Sequence, residues 1–279
     1  MVFLVFDKKY EENFAKSVGC QWIEALETGT FGVISLVKKC INGQEKNIVM
    51  KRQCQSSNYK EEYEVHKHLW DKGGCENIIK ILSMETFEND VAIFLEYAEC
   101  RDILNLIPFL TPSRAQFYFR QLITGLQYIH SKGVIHRDIK PDNLFLTDAS
   151  VLKIGDFGLS EFYQDDNGAF QVLPGPGTTR YAAPEVFLKG LIDGPPTDIW
   201  SAGVVLLNMV SNDQPWQEAF ENDEEYQKYV KKDLQNMKLV WDFVEEKSKA
   251  LVLKILTVNA SERITIEEIQ NDPWFKVDV

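Results

Sequence analysis

The apolar pattern of this chain changes period about a third of the way along, and that change limits the folds open to it. Before residue 100 the apolar residues come in strand-length runs, Val33 to Val37, Ile48 to Met50 and Val91 to Leu95. Runs of this length bounded by turn residues read as strands. Asn42-Gly43 lies between the first two, a strong hairpin signal, and the polar residues around it predict a loop longer than two residues. One helix interrupts the strands, because Tyr59, Tyr63, His66 and Leu69 recur at spacings of four, three and three. After residue 110 the helical period takes over. Thr111-Pro112 has the form of an N-cap and first helical position, and Ala115, Phe119, Leu122, Leu126 and Ile129 follow on one face. Asp198 to Val210 is apolar nearly all round, which predicts a buried helix. Ala250 to Leu256 and Ile264 to Ile269 predict two more. The expectation is an α+β chain with a small β-rich lobe over 1–96 carrying one main helix, and a larger helical lobe over 97–279. The acidic run Glu221 to Glu225 reads as a solvated loop or helix end.

Composition narrows the function. At 279 residues and 44% hydrophobic, the chain can build a core without disulfide staples. Lys and Arg number 30 against 42 Asp and Glu, a net charge of −12. Such a chain is a poor binder of phosphate backbones by charge alone, so no direct nucleic-acid contact is expected; basic peptides, or anions held with metal ions, fit better. The five cysteines are odd in number and form no C-x-x-C pair, which points to a reducing compartment and away from a zinc site. The longest apolar stretch, Ala202 to Leu207 with Met209 and Val210 beyond it, is too short for a bilayer, so no membrane is expected. Met1 to Phe6 is apolar but lacks a basic leader, and is expected to pack as an edge segment on a lobe rather than act as a signal peptide.

The chemistry concentrates in Ile135-His136-Arg137-Asp138-Ile139-Lys140-Pro141-Asp142-Asn143, with Asp156-Phe157-Gly158 following thirteen residues after Asn143. A metal-bound phosphate needs oxygen ligands, and Asn143 and Asp156 supply two from neighbouring loops. A hydroxyl nucleophile needs a carboxylate within hydrogen-bond reach, a role open to Asp138. A lone acid of either kind is more often a turn or a surface pair; the joint spacing is what favours a site.

These motifs resemble the protein kinase superfamily, whose motif set is a standard worked template, over roughly Ile23 to Phe275. Thr28-Gly29-Thr30-Phe31-Gly32-Val33-Ile34 resembles the glycine-rich loop, Ile48-Val49-Met50-Lys51 the strand with the phosphate-binding lysine, Ala182-Ala183-Pro184-Glu185 the end of the activation segment, and Asp198-Ile199-Trp200-Ser201-Ala202-Gly203 the helix that braces the catalytic loop. The resemblance implies a bilobal kinase fold that uses ATP and Mg2+. It implies that Asp138 orients the acceptor hydroxyl and takes its proton, that Lys140 stabilises the γ-phosphate, and that Asn143 and Asp156 hold the metal. Lys51 would neutralise the α- and β-phosphates, with Glu62 fixing it; Glu61 and Glu64 are close rivals for that position. Leu26 and Ile34 would clasp the adenine from above and Leu146, chosen over Leu144 and Phe145 by its distance after Asn143, from below. Gly29 and Gly32 would let backbone approach the phosphates. With Leu95 as gatekeeper, Glu96 and Ala98 would offer backbone groups to adenine. Asp102 would touch ribose and a basic substrate residue, against a plain surface acid as the competing reading. Arg263 would pair with Glu185, and Thr178 would contact Asp138 and Lys140.

Lys140-Pro141 after Asp138, and Gly177-Thr178, are of serine/threonine type. Phe94-Leu95-Glu96-Tyr97-Ala98, Ala115 to Leu122, Gly175 to Glu185 and Asp272-Pro273-Trp274-Phe275 are similar to the checkpoint-effector branch of these kinases, nematode forms among them. The expected partners are protein substrates with basic residues upstream of Ser or Thr, the expected location is nucleus and cytoplasm, and the expected state is a monomer. Three departures stand out. Glu27 replaces the first loop glycine and predicts weaker ATP binding unless its side chain points to solvent. Cys100-Arg101 replaces the paired glycines after the hinge. Ser160 is the one Ser or Thr between Gly158 and Gly177, so acids such as Glu161, Asp165 and Asp166, or packing, are expected to order that segment near Arg137 without phosphorylation. The chain ends at Val279, without the C-terminal regulatory region the resemblance implies. Competing readings are a pseudokinase or scaffold, motivated by Glu27, and another calmodulin-dependent-like kinase.

Overall fold

The computed structural model describes residues 6–277 except 30–31, 56, 166–167, 170–171, 176 and 238. The expectations for Met1 to Val5, Thr30, Phe31 and Asp166 fall outside these residues. The chain divides into two compact units, Met1–Gly74 with Ile79–Glu99, and Cys75–Ile78 with Cys100–Val279.

The first unit opens with a helix, α1 (Lys8–Ser17), followed by β1 (Cys20–Gly29), β2 (Gly32–Ile41), β3 (Gln44–Cys54), α2 (Tyr59–Trp70), β4 (Ile81–Phe87) and β5 (Asp90–Glu96). The strands form one antiparallel sheet in the order β1-β2-β3-β5-β4. Ile41 pairs with Gln44, so the hairpin loop is Asn42-Gly43 alone and not the longer loop expected. Both residues have positive φ, +53° and +77°. Asn and Gly tolerate that conformation, and it matches the strand twist closely enough to close the turn in two residues. Strand alternation then separates β3 into two faces. Ile48 and Met50 join Phe14, Ala15 and Val18 of α1 in a core with Val37, Ala92 and Phe94. Lys51 and Gln53 face α2, whose buried stripe is Tyr59, Glu62, Val65, His66 and Leu69. The apolar spacing did not announce α1, yet its ends are marked. Asp7 Oδ1 accepts from Tyr10 N at 3.0 Å, and Gly19, φ +73°, follows its last turn. Phe6 before it is exposed.

The second unit is built on α3 (Pro112–Ser131), with Thr111 Oγ1 capping Arg114 N at 3.3 Å. Short ladders follow, β6 (Val134–Ile135), β7 (Leu144–Leu146), β8 (Leu152–Ile154) and β9 (Glu161–Phe162), pairing β6 with β9 and β7 with β8. Then come α4 (Pro195–Ser211), α5 (Glu224–Val230), α6 (Glu246–Ile255), α7 (Ile266–Asn271) and α8 (Pro273–Lys276). α4 is buried without a break from Thr197 to Met209, as its composition predicts. Asp223 in the acidic run caps α5, accepting from Tyr226 N at 2.9 Å. Cys75–Ile78 belongs here because Asn77 O accepts from Ile154 N and Asn77 Nδ2 donates to Leu152 O, both at 2.9 Å. Among the described residues no helix is long and apolar enough to cross a membrane.

Arg263 is the main polar anchor of this unit. Its guanidinium is buried, forks onto Glu185 at 2.6 and 3.0 Å, and also donates to Pro196 O at 2.6 Å, with the Trp200 ring 5.0 Å away. Arg263→Ala strands Glu185 and the carbonyls at once. The expected loss is about 3–5 kcal/mol of unfolding free energy, read by urea denaturation.

Candidate active site

In the first unit the site residues sit on β1, β2, β3 and α2. Gly29 pairs with Gly32 where the first two strands turn over. The two glycines serve different ends. A Cβ on Gly29 would meet nothing within 4 Å, whereas one on Gly32, φ +137°, would lie 2.1 Å from Arg52 O. Gly32 is therefore required by the strand beneath it and Gly29 is free to face a ligand. Leu26 and Ile34 are half-buried on the same hairpin, and Glu27 is exposed. Lys51 and Glu62 are both buried, and Lys51 Nζ donates to Glu62 Oε1 at 2.6 Å. Gln53 Nε2 donates to Glu62 Oε2 at 2.7 Å, so both carboxylate oxygens are used. Glu61 and Glu64 are exposed on the other side of the helix. Gln53 was absent from the sequence reading, although period two along β3 puts it on the Lys51 face. At the end of β5, Glu96 N donates to Lys80 O at 2.9 Å, leaving no N–H at that position for a ligand. Leu95 is half-buried and Ala98 is buried beyond it.

In the second unit one carboxylate organises the rest. Asp198, in the first turn of α4, has no solvent exposure. Its Oδ2 accepts from His136 N and His130 Nε2 and its Oδ1 from Arg137 N, each at 2.8 Å. These bonds hold Arg137 at φ +70°, a left-handed conformation that costs a non-glycine residue about 1–2 kcal/mol. The turn that follows presents Asp138. Its Oδ1 accepts from Thr178 N at 2.8 Å, and Lys140 Nζ lies 2.8 Å from its Oδ2. Asn143 Nδ2 donates to Asp138 O at 2.8 Å and to Asp138 Oδ2 at 3.2 Å. Lys140 Nζ also donates to Thr178 Oγ1 at 2.9 Å. Burial by itself would raise the Asp138 pKa, but the bond and charge of Lys140 and the bonds from Thr178 outweigh it and hold the carboxyl below its ordinary value. Asp138 is thus ionised at neutral pH and aimed.

Asp156 is tied to this group through the backbone, since Gly155 N donates to Asn143 O at 2.9 Å. His136 Nε2 is 3.0 Å from Gly155 O, and Phe157 is fully buried with its ring 5.1 Å from the His136 ring. Asp156 itself is exposed, at φ +58°. With Asn143 Nδ2 spent on Asp138, its amide oxygen is left as a donor to a cation. Asn143 and Asp156 make a two-oxygen set, which suits Mg2+: this ion is bound through one or two carboxylates with phosphates and water completing its shell. Among the described residues no group of three or more His, Cys, Asp or Glu forms a metal cluster. Leu146 is buried in β7 and bonds to Arg101 O at 2.7 Å. Asp102 Oδ1 accepts from Leu104 N at 3.0 Å, so one of its oxygens closes a local turn. Arg101 stands at φ +60° where the resemblance has a glycine.

The segment after Asp156 meets Arg137, whose guanidinium pairs with Glu161 and donates from Nη2 to Leu173 O at 3.3 Å. A Cβ on Gly175 would fall 1.2 Å from Arg137 Nη2, and one on Gly177 would fall 2.6 Å from Arg137 O. Both glycines make room for this arginine. Asp165 carries no side-chain description.

Comparison with known proteins agrees with this geometry. Residues 22–275 match the protein kinase domain. A serine/threonine-protein kinase named chk-1 from Caenorhabditis briggsae is 37% identical over 264 residues, 91% of this chain and 52% of that protein. Its Caenorhabditis elegans counterpart is 34% identical over 263 residues, with the same shares. The serine/threonine-protein kinase grp of Drosophila melanogaster is 29% identical over 258 residues, 90% of this chain and 49% of that protein. The chain spans about half the length of these curated relatives.

Asp198 also carries a pH signature. Burial would raise its pKa, but the hydrogen bond and charge of His130 and the His136 amide hold it below the ordinary carboxylate value. A carboxyl depressed on folding stabilises fully above its unfolded pKa and loses that contribution as pH falls through the folded value. Asp198→Asn should therefore cost about 3–5 kcal/mol at pH 7. The gap to wild type should narrow below about pH 4, followed by thermal melts at stepped pH.

Proposed function

The chain belongs to the protein kinase family, and on that premise we propose that it is an ATP- and magnesium-dependent serine/threonine kinase of checkpoint type. It would transfer the γ-phosphoryl group to Ser or Thr of protein substrates. The observation that carries the reading is the saturated Asp138 carboxylate with Lys140, Thr178 and Asn143 around it. In the transfer the acceptor hydroxyl oxygen bonds to the γ-phosphorus, the bond from that phosphorus to the β,γ-bridging oxygen breaks, ADP leaves, and the hydroxyl proton passes to Asp138. Lys140 stabilises charge on the moving phosphoryl. Lys51, fixed by Glu62, neutralises the other phosphates, while Leu26, Ile34, Leu146, Gly29, Gly32, Glu96 and Ala98 serve the nucleotide and Asp102 its ribose. Asn143 and Asp156 would hold Mg2+, which would supply positive charge to offset that of the phosphates. The remaining rate gain comes from positioning and fixed electrostatics.

A basic protein substrate suits the −12 net charge; a cavity of about 500 Å³ in the second unit is lined in part by Asp142, Asp213 and the basic Arg180. A checkpoint role and a nuclear and cytoplasmic location are proposed by analogy with the family, and a monomeric state is proposed with them. The serine/threonine-protein kinases chk-1 and grp are the relatives that support that role.

The test is transfer of labelled γ-phosphate to a basic peptide library with ATP and Mg2+. Asp138→Asn should lower turnover by about 10²–10⁴-fold with nucleotide binding retained. An unchanged rate would remove Asp138 as the base, and nucleotide binding without any transfer in wild type would favour the scaffold reading. The Arg137–Glu161 pair supports a second expectation, that phosphatase treatment leaves most activity in place while Glu161→Lys removes it. Complete loss on phosphatase treatment alone would refute activation by the built-in acid.

A further inference from the structure

Arg52 follows Lys51 on β3 and points to the opposite face of the sheet, where it is 1% exposed. Its Nε donates to Glu11 Oε1 and Oε2 at 3.0 and 3.1 Å, its Nη2 also donates to Glu11, and its Nη1 donates to Asp90 Oδ2 at 2.8 Å. Glu11 lies on α1 and has no exposure; Asp90 opens β5 and also accepts from Tyr10 OH at 2.9 Å. The rings of Tyr10 and Phe14 lie 4.8 and 5.8 Å from the guanidinium carbon. A whole ion cluster is thus buried where α1 meets the sheet.

Buried ion clusters are weak stability devices, because apolar residues of similar volume would serve as well or better. Removing one partner would nevertheless leave an uncompensated buried charge, and here Glu11 and Asp90 occupy the N–H groups on both sides of the Arg52 guanidinium. The backbone of Arg52 is where this grip matters. Arg52 pairs with Val33 in β2, and its carbonyl is the atom that forbids any side chain on Gly32. The neighbouring residue is Lys51. One residue is therefore gripped at its side chain by α1 and β5 while its backbone supports the glycine loop and the lysine strand.

We propose that Arg52 is a positioning residue, and that α1, acting through Glu11 and Arg52, sets the placement of Gly32 and Lys51 and so the affinity for nucleotide. This rests on the nucleotide-binding reading above. The Arg52 side chain with Glu11 and Asp90 lies on the opposite face of β3 from the Lys51–Glu62 pair, so the effect runs through β3.

The test uses the full chain with Glu11→Ala, Glu11→Gln and Arg52→Met, and Glu12→Ala as an exposed control on the same helix. Two quantities are read at temperatures where circular dichroism reports folded protein: Mg-ATP affinity by calorimetry with KM for ATP and for peptide, and hydrogen exchange of amides 32–37 and 48–53. Glu11→Ala should raise the Kd and KM for ATP about fivefold, with peptide KM unchanged and kcat within about twofold. Exchange should quicken at Gly32 and Lys51, Glu11→Gln should restore part of both effects, and Glu12→Ala should resemble wild type. A merely structural role would lower the melting temperature and leave ATP affinity and exchange at Gly32 unchanged; that result overturns the proposal. If wild type binds no ATP, the nucleotide reading falls, and unchanged exchange in Glu11→Ala would then overturn the mechanical claim separately. Should Glu11→Ala fail to fold, Tyr10→Phe removes a single bond to Asp90 and should give a smaller shift of the same sign.

Discussion

The second unit depends on one carboxylate having three donors and no water. Asp198 binds two successive backbone amides, those of His136 and Arg137, and the only way the chain offers both to one carboxylate is to turn sharply there. The turn forces Arg137 into a left-handed conformation that only a deeply held group can sustain. Everything reactive is downstream of that strain: the direction of Asp138, the reach of Lys140 toward Thr178, and the placement of Asn143 behind the acid. α4 can hold Asp198 so firmly because it is apolar on every side and has nowhere to move.

The same rule governs the charged groups of both units. Donors occupy the oxygens of the buried carboxylates. Glu62 has Lys51 and Gln53. Asp138 has Lys140, Thr178 and Asn143. Each cation and each acid is therefore already oriented before any substrate arrives, and little reorganisation is needed when charge shifts in a reaction. Asp156 differs, being exposed and held through the backbone of Gly155.

What could be read from the chain beforehand follows from how local each signal is. Strand-length apolar runs marked β2, β3 and β5, a period near 3.6 marked α2 and α3, and a stretch apolar nearly all round marked α4, because each of these segments buries apolar side chains along its length. Glu62 was chosen over Glu61 and Glu64 by resemblance, and the buried side of α2 separates it from those two exposed and equally acidic rivals. The Asn42-Gly43 loop was read as too long because flanking polar residues belong to strands that face water, not to the turn. α1 was missed for a different reason: it buries Glu11, so hydrophobicity alone hides the face that packs. A charged residue inside a helix stripe is legible only together with its partners, and Arg52 and Asp90 are 41 and 79 residues away in sequence. Gly175 and Gly177 entered the sequence reading only through resemblance, and their physical reason comes into view with the arginine they clear.

The pairing of Arg137 with Glu161 bears on how such a unit is controlled. A phosphate brings about −1.5 to −2 charges and three acceptor oxygens to an arginine, more than one carboxylate can. Here the shortfall is made up by geometry. Glu161 sits on β9, which is paired to the strand just before His136, so the acid reaches Arg137 across a ladder rather than from a wandering loop. The Leu173 carbonyl takes a further guanidinium N–H, and Gly175 leaves the room for it. An acid delivered by a strand has no ordering entropy to overcome at the moment of pairing, unlike a modified residue on a mobile segment. Control of a unit wired in this way is better sought in what touches the chain from outside this segment than in chemistry upon it.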